Sequence, residues 1–272
     1  MSHSIGMSGS TILTDPKKFS ELFQFEHVRH IEIGEFPDEA AFQDFLDMFR
    51  KKKMSFGLHS PLFRNKSKYD LLEKVQFEPD TAWKQFAAEV ERMSQLGAEY
   101  VLVHFPYFKK ETTKDTDAII EHGLRRLKQL QEQFSIPIVC EPKLGMNCSP
   151  FGIQALDNYP IHIWEKYGIN LCIDIGDYQI ATGDAAIDYI KKWQEFIKVV
   201  HLHNVEFQND QYFWVPIHPS HDNPSYFHVR EMIEQLAKSP DVFFVLEHTP
   251  HSQPTVEFVN EGIEWLMDLI DK

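Results

Sequence analysis

The chain has 272 residues, and 27 Lys plus Arg against 41 Asp plus Glu give a formal charge of −14. A hydrophobic content of 43% supplies a core and excludes a mainly disordered chain, while the acidic balance argues against a nucleic-acid partner. No apolar run nears the roughly 20 residues that span a bilayer, Met1–Gly6 lacks the basic-then-apolar order of a secretory leader, and Cys140, Cys148 and Cys172, without a CxxC, predict a reducing, cytoplasmic setting.

Short β-rich runs alternate with longer amphipathic stretches along the whole sequence. The first run is Ser4–Met7, followed by His27–Gly34. Pro37–Lys53 then reads as a helix, with proline at its first position and a basic end that suits the helix dipole. After the third run, Met54–His59, the stretch Pro79–Leu96 carries Trp83, Phe86, Ala87, Val90 and Met93 on one helical face. The remaining runs are Glu99–Phe105, Ile136–Glu141, Ile169–Asp174, Ile197–His203 and Val242–Glu247. Val256, Val259, Ile263, Leu266 and Ile270 make a closing helical stripe. Eight β/α alternations predict one domain over residues 1–272, a single (β/α)8 TIM barrel. The competing open sheet would ordinarily carry a glycine-rich phosphate turn, and neither GxGxxG nor GxxxxGK[ST] occurs.

Side chains alternate faces along a strand. Ile31 and Ile33 oppose Glu32, Phe56 and Leu58 oppose His59, and Val101 and Val103 oppose His104. Ile138 and Cys140 oppose Glu141, Leu171 and Ile173 oppose Asp174, Val200 and Leu202 oppose His201 and His203, and Phe244 and Leu246 oppose Glu247. One face is apolar and suits outer helices. The other ends in an ionisable residue at the strand's C-terminal tip, where barrel active sites lie. Each residue alone reads as a solvated or hydrogen-bonded group. Together they predict one pocket whose carboxylates and imidazoles would repel or neutralise one another without a cation, so a divalent metal is favoured over a bare polar cluster.

The pattern resembles the xylose isomerase-like TIM-barrel superfamily, and more closely its sugar phosphate isomerase/epimerase group, which shares the AP endonuclease family 2 domain with endonuclease IV. The resemblance rests on Glu141 in Ile-Val-Cys-Glu-Pro, Asp174 in Cys-Ile-Asp-Ile-Gly-Asp, His201 in Val-His-Leu-His-Asn and Glu247 in Val-Leu-Glu-His, with Ile-Glu-Ile-Gly at Glu32, Leu-His-Ser-Pro at His59 and Val-His-Phe-Pro at His104. It implies that Glu141, Asp174, His201 and Glu247 ligate the metal (Mn, Mg, Co or Zn) and that Glu141 and Glu247 also move protons. His59, His104, His203, Glu32, Lys143, His218 and Trp214 are then expected to bind substrate or support the ligands. In the endonuclease branch a first ion would use His59, His104 and Glu141. A third would use positions that here hold Asp177, Tyr212 and Trp214, so that site is expected to be absent. The group's Asp-x-x-His and His-x-x-Asp become Asp174-x-x-Asp177 and His201-x-x-Asn204.

The expected chemistry is proton transfer beside a carbonyl of a sugar-like small molecule, through an enediolate, as in an isomerase or epimerase. A dehydratase of a cyclitol or keto sugar is the alternative, ahead of an endonuclease IV-like hydrolase and a non-catalytic binding barrel. Trp214–Asp222 reads as a loop over the mouth that offers His218, His221 and Asp222. Phe105, Tyr107, Phe108, Phe213 and Trp214 could cover a sugar ring, and Lys143 and Arg64 could meet a phosphate or carboxylate. No nucleic acid or membrane partner is expected, and a homo-oligomer is left open.

Overall fold

The computed structural model describes residues 3–208, 211–223 and 226–271. In chain order the elements are β1 (Ser4–Ser8), β2 (His30–Ile33), α1 (Glu39–Phe49), β3 (Ser55–His59), α2 (Pro79–Leu96), β4 (Val101–His104), α3 (Thr116–Phe134), β5 (Ile138–Glu141), α4 (Phe151–Asn158), α5 (Ile161–Glu165), β6 (Asn170–Asp174), α6 (Ile175–Thr182), α7 (Ala186–Trp193), β7 (Ile197–Leu202), β8 (Asn204–Gln208), β9 (Gln211–Val215), α8 (Val229–Leu236), β10 (Phe243–Leu246) and α9 (Val256–Ile270). Strands β1 to β7 and β10 form a closed barrel in the order β1-β10-β7-β6-β5-β4-β3-β2. Every pairing is parallel, and β1 beside β10 (Gly6 opposite Val245) closes it. This is the single (β/α)8 barrel that the alternation predicts.

The period-two pattern sorts the strand residues into two separate clusters. Ile31, Ile33, Phe56, Leu58, Val101, Val103, Ile138, Cys140, Leu171, Ile173, Val200, Leu202, Phe244 and Leu246 point outward and join the helices in the main core. Leu102, Val139, Cys172, Val199 and Val245 point inward and pack with Tyr100 as a second cluster that plugs the barrel. Two residues further along the same strands come His104, Glu141, Asp174, His201 and Glu247. The apolar plug is therefore the floor on which the polar tips stand. Closing the plug requires Gly57, because a Cβ there would lie 2.5 Å from the Tyr100 ring.

Helix α2 spans Pro79–Leu96, as its stripe predicts, and stops at Gly97, whose φ of 77° is the left-handed turn that favours glycine. Helix α1 is shorter than the sequence expectation. Asp38 caps it, its carboxylate accepting from the Ala41 N–H at 2.9 Å, so Pro37 precedes the helix. The helix ends at Phe49, and Lys51–Lys53 lie in the turn that follows. The segment after β7 also departs from expectation. It forms an antiparallel hairpin, with Val205 opposite Trp214 and Phe207 opposite Tyr212, and so carries three aromatic residues over the barrel mouth. No helix among the described residues is long and apolar enough to cross a membrane, and Cys140, Cys148 and Cys172 are free thiols.

Candidate active site and metal centre

The eight barrel strands run parallel, so their C-terminal tips share one rim. Glu141, Asp174, His201 and Glu247 come from four strands and offer ligand atoms that all lie within 4.8 Å of one another. Glu32, His59, His201 and Glu247 form an overlapping group with the same spacing, as do His59, His104 and Glu141. Glu141, Asp174 and His201 are wholly buried; Glu247 and His59 each keep a little over a tenth of their side-chain surface.

His201 lies at the centre. Its Nε2 is 2.8 Å from Glu32 Oε1, and its Nδ1 is 2.8 Å from Glu247 Oε2 and 3.3 Å from Glu141 Oε1. The chain of contacts continues below it: Tyr100 donates its hydroxyl to Glu32 Oε2 at 2.8 Å, and His30 Nε2 lies 3.0 Å from that hydroxyl. Glu141 Oε2 faces His59 Nε2 at 3.3 Å and His104 Nε2 at 3.1 Å. Asp174 caps α6 by accepting from the Asp177 N–H at 2.9 Å, and the same oxygen is 2.9 Å from His203 Nε2. Gly176 makes room for that histidine, since a Cβ there would lie 2.2 Å from His203 Cε1.

The charges obey this geometry. Burial alone would raise the carboxyl of Glu141, but the Lys143 ammonium, His201 and His104 hold it well below the usual range. Burial opposes charge on His201, yet the surrounding Glu247, Glu32 and Glu141 raise it well above an ordinary histidine. His59 is raised for the same reason, against its own desolvation. Desolvation wins at His104, which falls to about 3, so its ring is neutral and able to donate a lone pair. Asp177 is pushed up to about 7 by burial and by the charge of Asp174. The basin thus draws in protons and the Lys143 ammonium because its carboxylates outnumber its cations. A field of that sign also attracts a metal ion.

The donor set fits a divalent cation. Carboxylate oxygens with neutral imidazole are an ordinary shell for Mn, Mg, Co or Zn. Both ring nitrogens of His104, Glu141 Oε2 and His203 Nδ1 are buried without a well-aligned hydrogen bond, and such polar atoms are costly to bury unless something else satisfies them.

A cavity of about 890 Å³ opens above the basin, a size suited to a small molecule. Glu247, His59, His104 and Lys143 line its base; Tyr69, Arg64, Tyr212, Phe213 and Trp214 line its walls. Glu32 lies beneath His201, fully buried. His203 is covered by the Trp214 ring, with centroids 4.3 Å apart. His218 is drawn away from the cavity: its Nε2 lies 2.8 Å from Glu261 Oε2 and its ring stacks on Phe258, pinning the loop to α9. His221 stacks on Tyr226, and Asp222 pairs with Arg230. Phe105 and Phe108 belong to the main core, and Tyr107 is buried against Tyr69. Arg64 uses its guanidinium on the backbone carbonyls of Glu35 and Leu13. Sequence reasoning missed Tyr69 and the place of Asp177, which sit in loops or past a strand tip where periodicity gives no signal.

The family model for the xylose isomerase-like TIM barrel matches residues 21–269. Among curated proteins none matches the chain. Solved structures share the fold at low identity. The apo form of 3-keto-D-glucoside 4-epimerase, YcjR, from E. coli has a TM-score of 0.67 at 12% identity, over 98% of this chain and 100% of that one. A D-tagatose 3-epimerase-like protein gives 0.69 at 14%, over 98% and 97%. The IOLI protein with a bound zinc atom gives 0.67 at 14%, over 98% of each. The chain is a member of the xylose isomerase-like TIM-barrel family.

Proposed function

We propose that the protein is a divalent-metal-dependent isomerase or epimerase of a sugar or sugar phosphate, working by proton transfer through an enediolate. The observation that carries this reading is the meeting of Glu141, Asp174, His201 and Glu247, from four strands, under a cavity of small-molecule size. Solved relatives of the same fold include proteins named as sugar epimerases and one holding zinc. A divalent ion held by those four residues would act as a Lewis acid toward a substrate carbonyl.

The chain's own groups then divide the work. Glu247 lines the cavity, which supports assigning it the proton abstraction from substrate carbon. Glu141 is closed off by His59, His104 and Lys143. Glu141 is assigned the second proton transfer, with His59, whose Nε2 lies 3.3 Å from Glu141 Oε2 and which lines the cavity, orienting the substrate beside it. Tyr69 and Trp214 line the cavity and would pack against the apolar side of a sugar, limiting water.

The test is turnover of a panel of ketoses, ketose phosphates and keto-cyclitols in deuterated water. An epimerase places solvent deuterium on a substrate carbon with no net loss of water, whereas a dehydratase yields an unsaturated or deoxy product. Glu247→Gln should lower turnover by about 10²–10⁴-fold. Full turnover in Glu247→Gln, or in protein stripped of divalent ions, contradicts the reading.

A further inference from the structure

Lys143 follows β5 by two residues, and its ammonium lies 2.7 Å from Asp174 Oδ2, 2.9 Å from Asp177 Oδ2 and 3.0 Å from Glu141 Oε1. The ammonium donates to Asp174 Oδ2 and Glu141 Oε1 and ion-pairs with Asp177 Oδ2, so carboxylates of the chain itself surround it and would repel a substrate phosphate or carboxylate. This argues against the anion-binding role that the sequence suggests for Lys143.

The three oxygens come from two strand tips and the first turn of α6. Removing the ammonium from this trio would leave three converging carboxylates, the donor type that hard divalent ions take. Lysine is a compact point charge on a flexible stem, and this stem is long enough to reach the centre of the trio. His201 Nδ1 meets the same Glu141 oxygen as the ammonium, at 3.3 Å, and Glu247 lies 2.8 Å from that nitrogen.

We propose that Lys143 is a tethered resident cation. It occupies the Glu141–Asp174–Asp177 position and bars a second divalent ion from it, leaving one ion to the Glu141–Asp174–His201–Glu247 group that shares two of those carboxylates. The inference rests on the reading above only for the ion in that four-residue group. Wild type, Lys143→Met, Lys143→Arg and the double variant Lys143→Met with Asp177→Asn are each dialysed to equilibrium against manganese chloride. Manganese per chain is then measured by elemental analysis, with circular dichroism as the check on folding.

Lys143→Met should hold one more ion per chain than wild type. Lys143→Arg should match wild type, and the double variant should lose the gain. Only variants that circular dichroism shows to be folded are compared, since an unfolded chain would expose carboxylates and imidazoles that also take up manganese, and Lys143→Gln supplies the same comparison if the methionine variant does not fold. Equal counts in folded wild type and Lys143→Met overturn the proposal. The wild-type count tests the proposed function separately: if wild type holds no ion while Lys143→Met holds one, the metal enzyme reading fails and the role of Lys143 stands.

Discussion

Glu32 has no exposed surface, yet it governs what His201 offers to the basin. With Nε2 at 2.8 Å from the Glu32 carboxylate and Tyr100 fixing the other oxygen, the ring proton on that side is directed downward and Nδ1 faces Glu141 and Glu247. Carboxylates that hold a ligating histidine in this way orient it and raise its basicity. Glu32→Gln should therefore weaken binding of a divalent ion by about 10–100-fold, measured by competition against a chelating dye. Unchanged affinity would make Glu32 a mere filler of the barrel. At this scale the sequence was informative wherever a residue sat on a strand. Glu32, His104, Glu141, Asp174 and His201 could each be read because alternation fixes the face. It was uninformative for Lys143 and His218, whose loops have no period. The place of His218 in the Trp214–Asp222 loop suggests a mouth residue, whereas Glu261 and Phe258 hold it against α9.

Glu89 shows how an element can carry a titration of its own. It is buried on α2, where it accepts from the Ser60 hydroxyl at 2.6 Å and from the Leu62 N–H at 2.9 Å. It thereby ties the loop after β3, the loop that follows His59, to the helix. Burial pushes its carboxyl from near 4.5 up to about 7, against those hydrogen bonds. The folded state therefore keeps a proton that the unfolded chain releases between those two values. The resulting stability is fully present below pH 4.5 and is lost as pH rises toward 7, a change on the order of 3 kcal/mol. Glu89→Gln stays neutral and can keep both hydrogen bonds. Its melting temperature relative to wild type should climb between pH 4.5 and pH 8; a constant difference across that range would refute the assignment. The pair α1 and β8–β9 shows where elements escaped the sequence. Asp38 captured the helix start that Pro37 seemed to mark. The sequence pattern predicts a loop at Trp214–Asp222 and no strand at Asn204–Gln208, although Val205 and Phe207 alternate with Glu206.

Across the whole molecule, the barrel turns a pattern dispersed over more than 200 residues of sequence into one basin. The fold was legible because eight β/α alternations carry apolar faces that suit a closed parallel barrel under its helices, and the glycine-rich phosphate turn of the competing open sheet is missing from the sequence. That geometry brings every strand tip to the same rim, so the acidic and imidazole residues converge without any local sequence signal linking them. The reaction is less legible, since one scaffold of this kind carries several chemistries and the cavity walls choose among them. The account depends on a divalent ion at the centre of that rim. Crystals soaked in manganese chloride and measured at the manganese absorption edge test it directly. The account predicts an anomalous peak within bonding distance of Glu141, Asp174, His201 and Glu247, and its loss in His201→Ala. A wild-type map with no anomalous peak among those four side chains would contradict it.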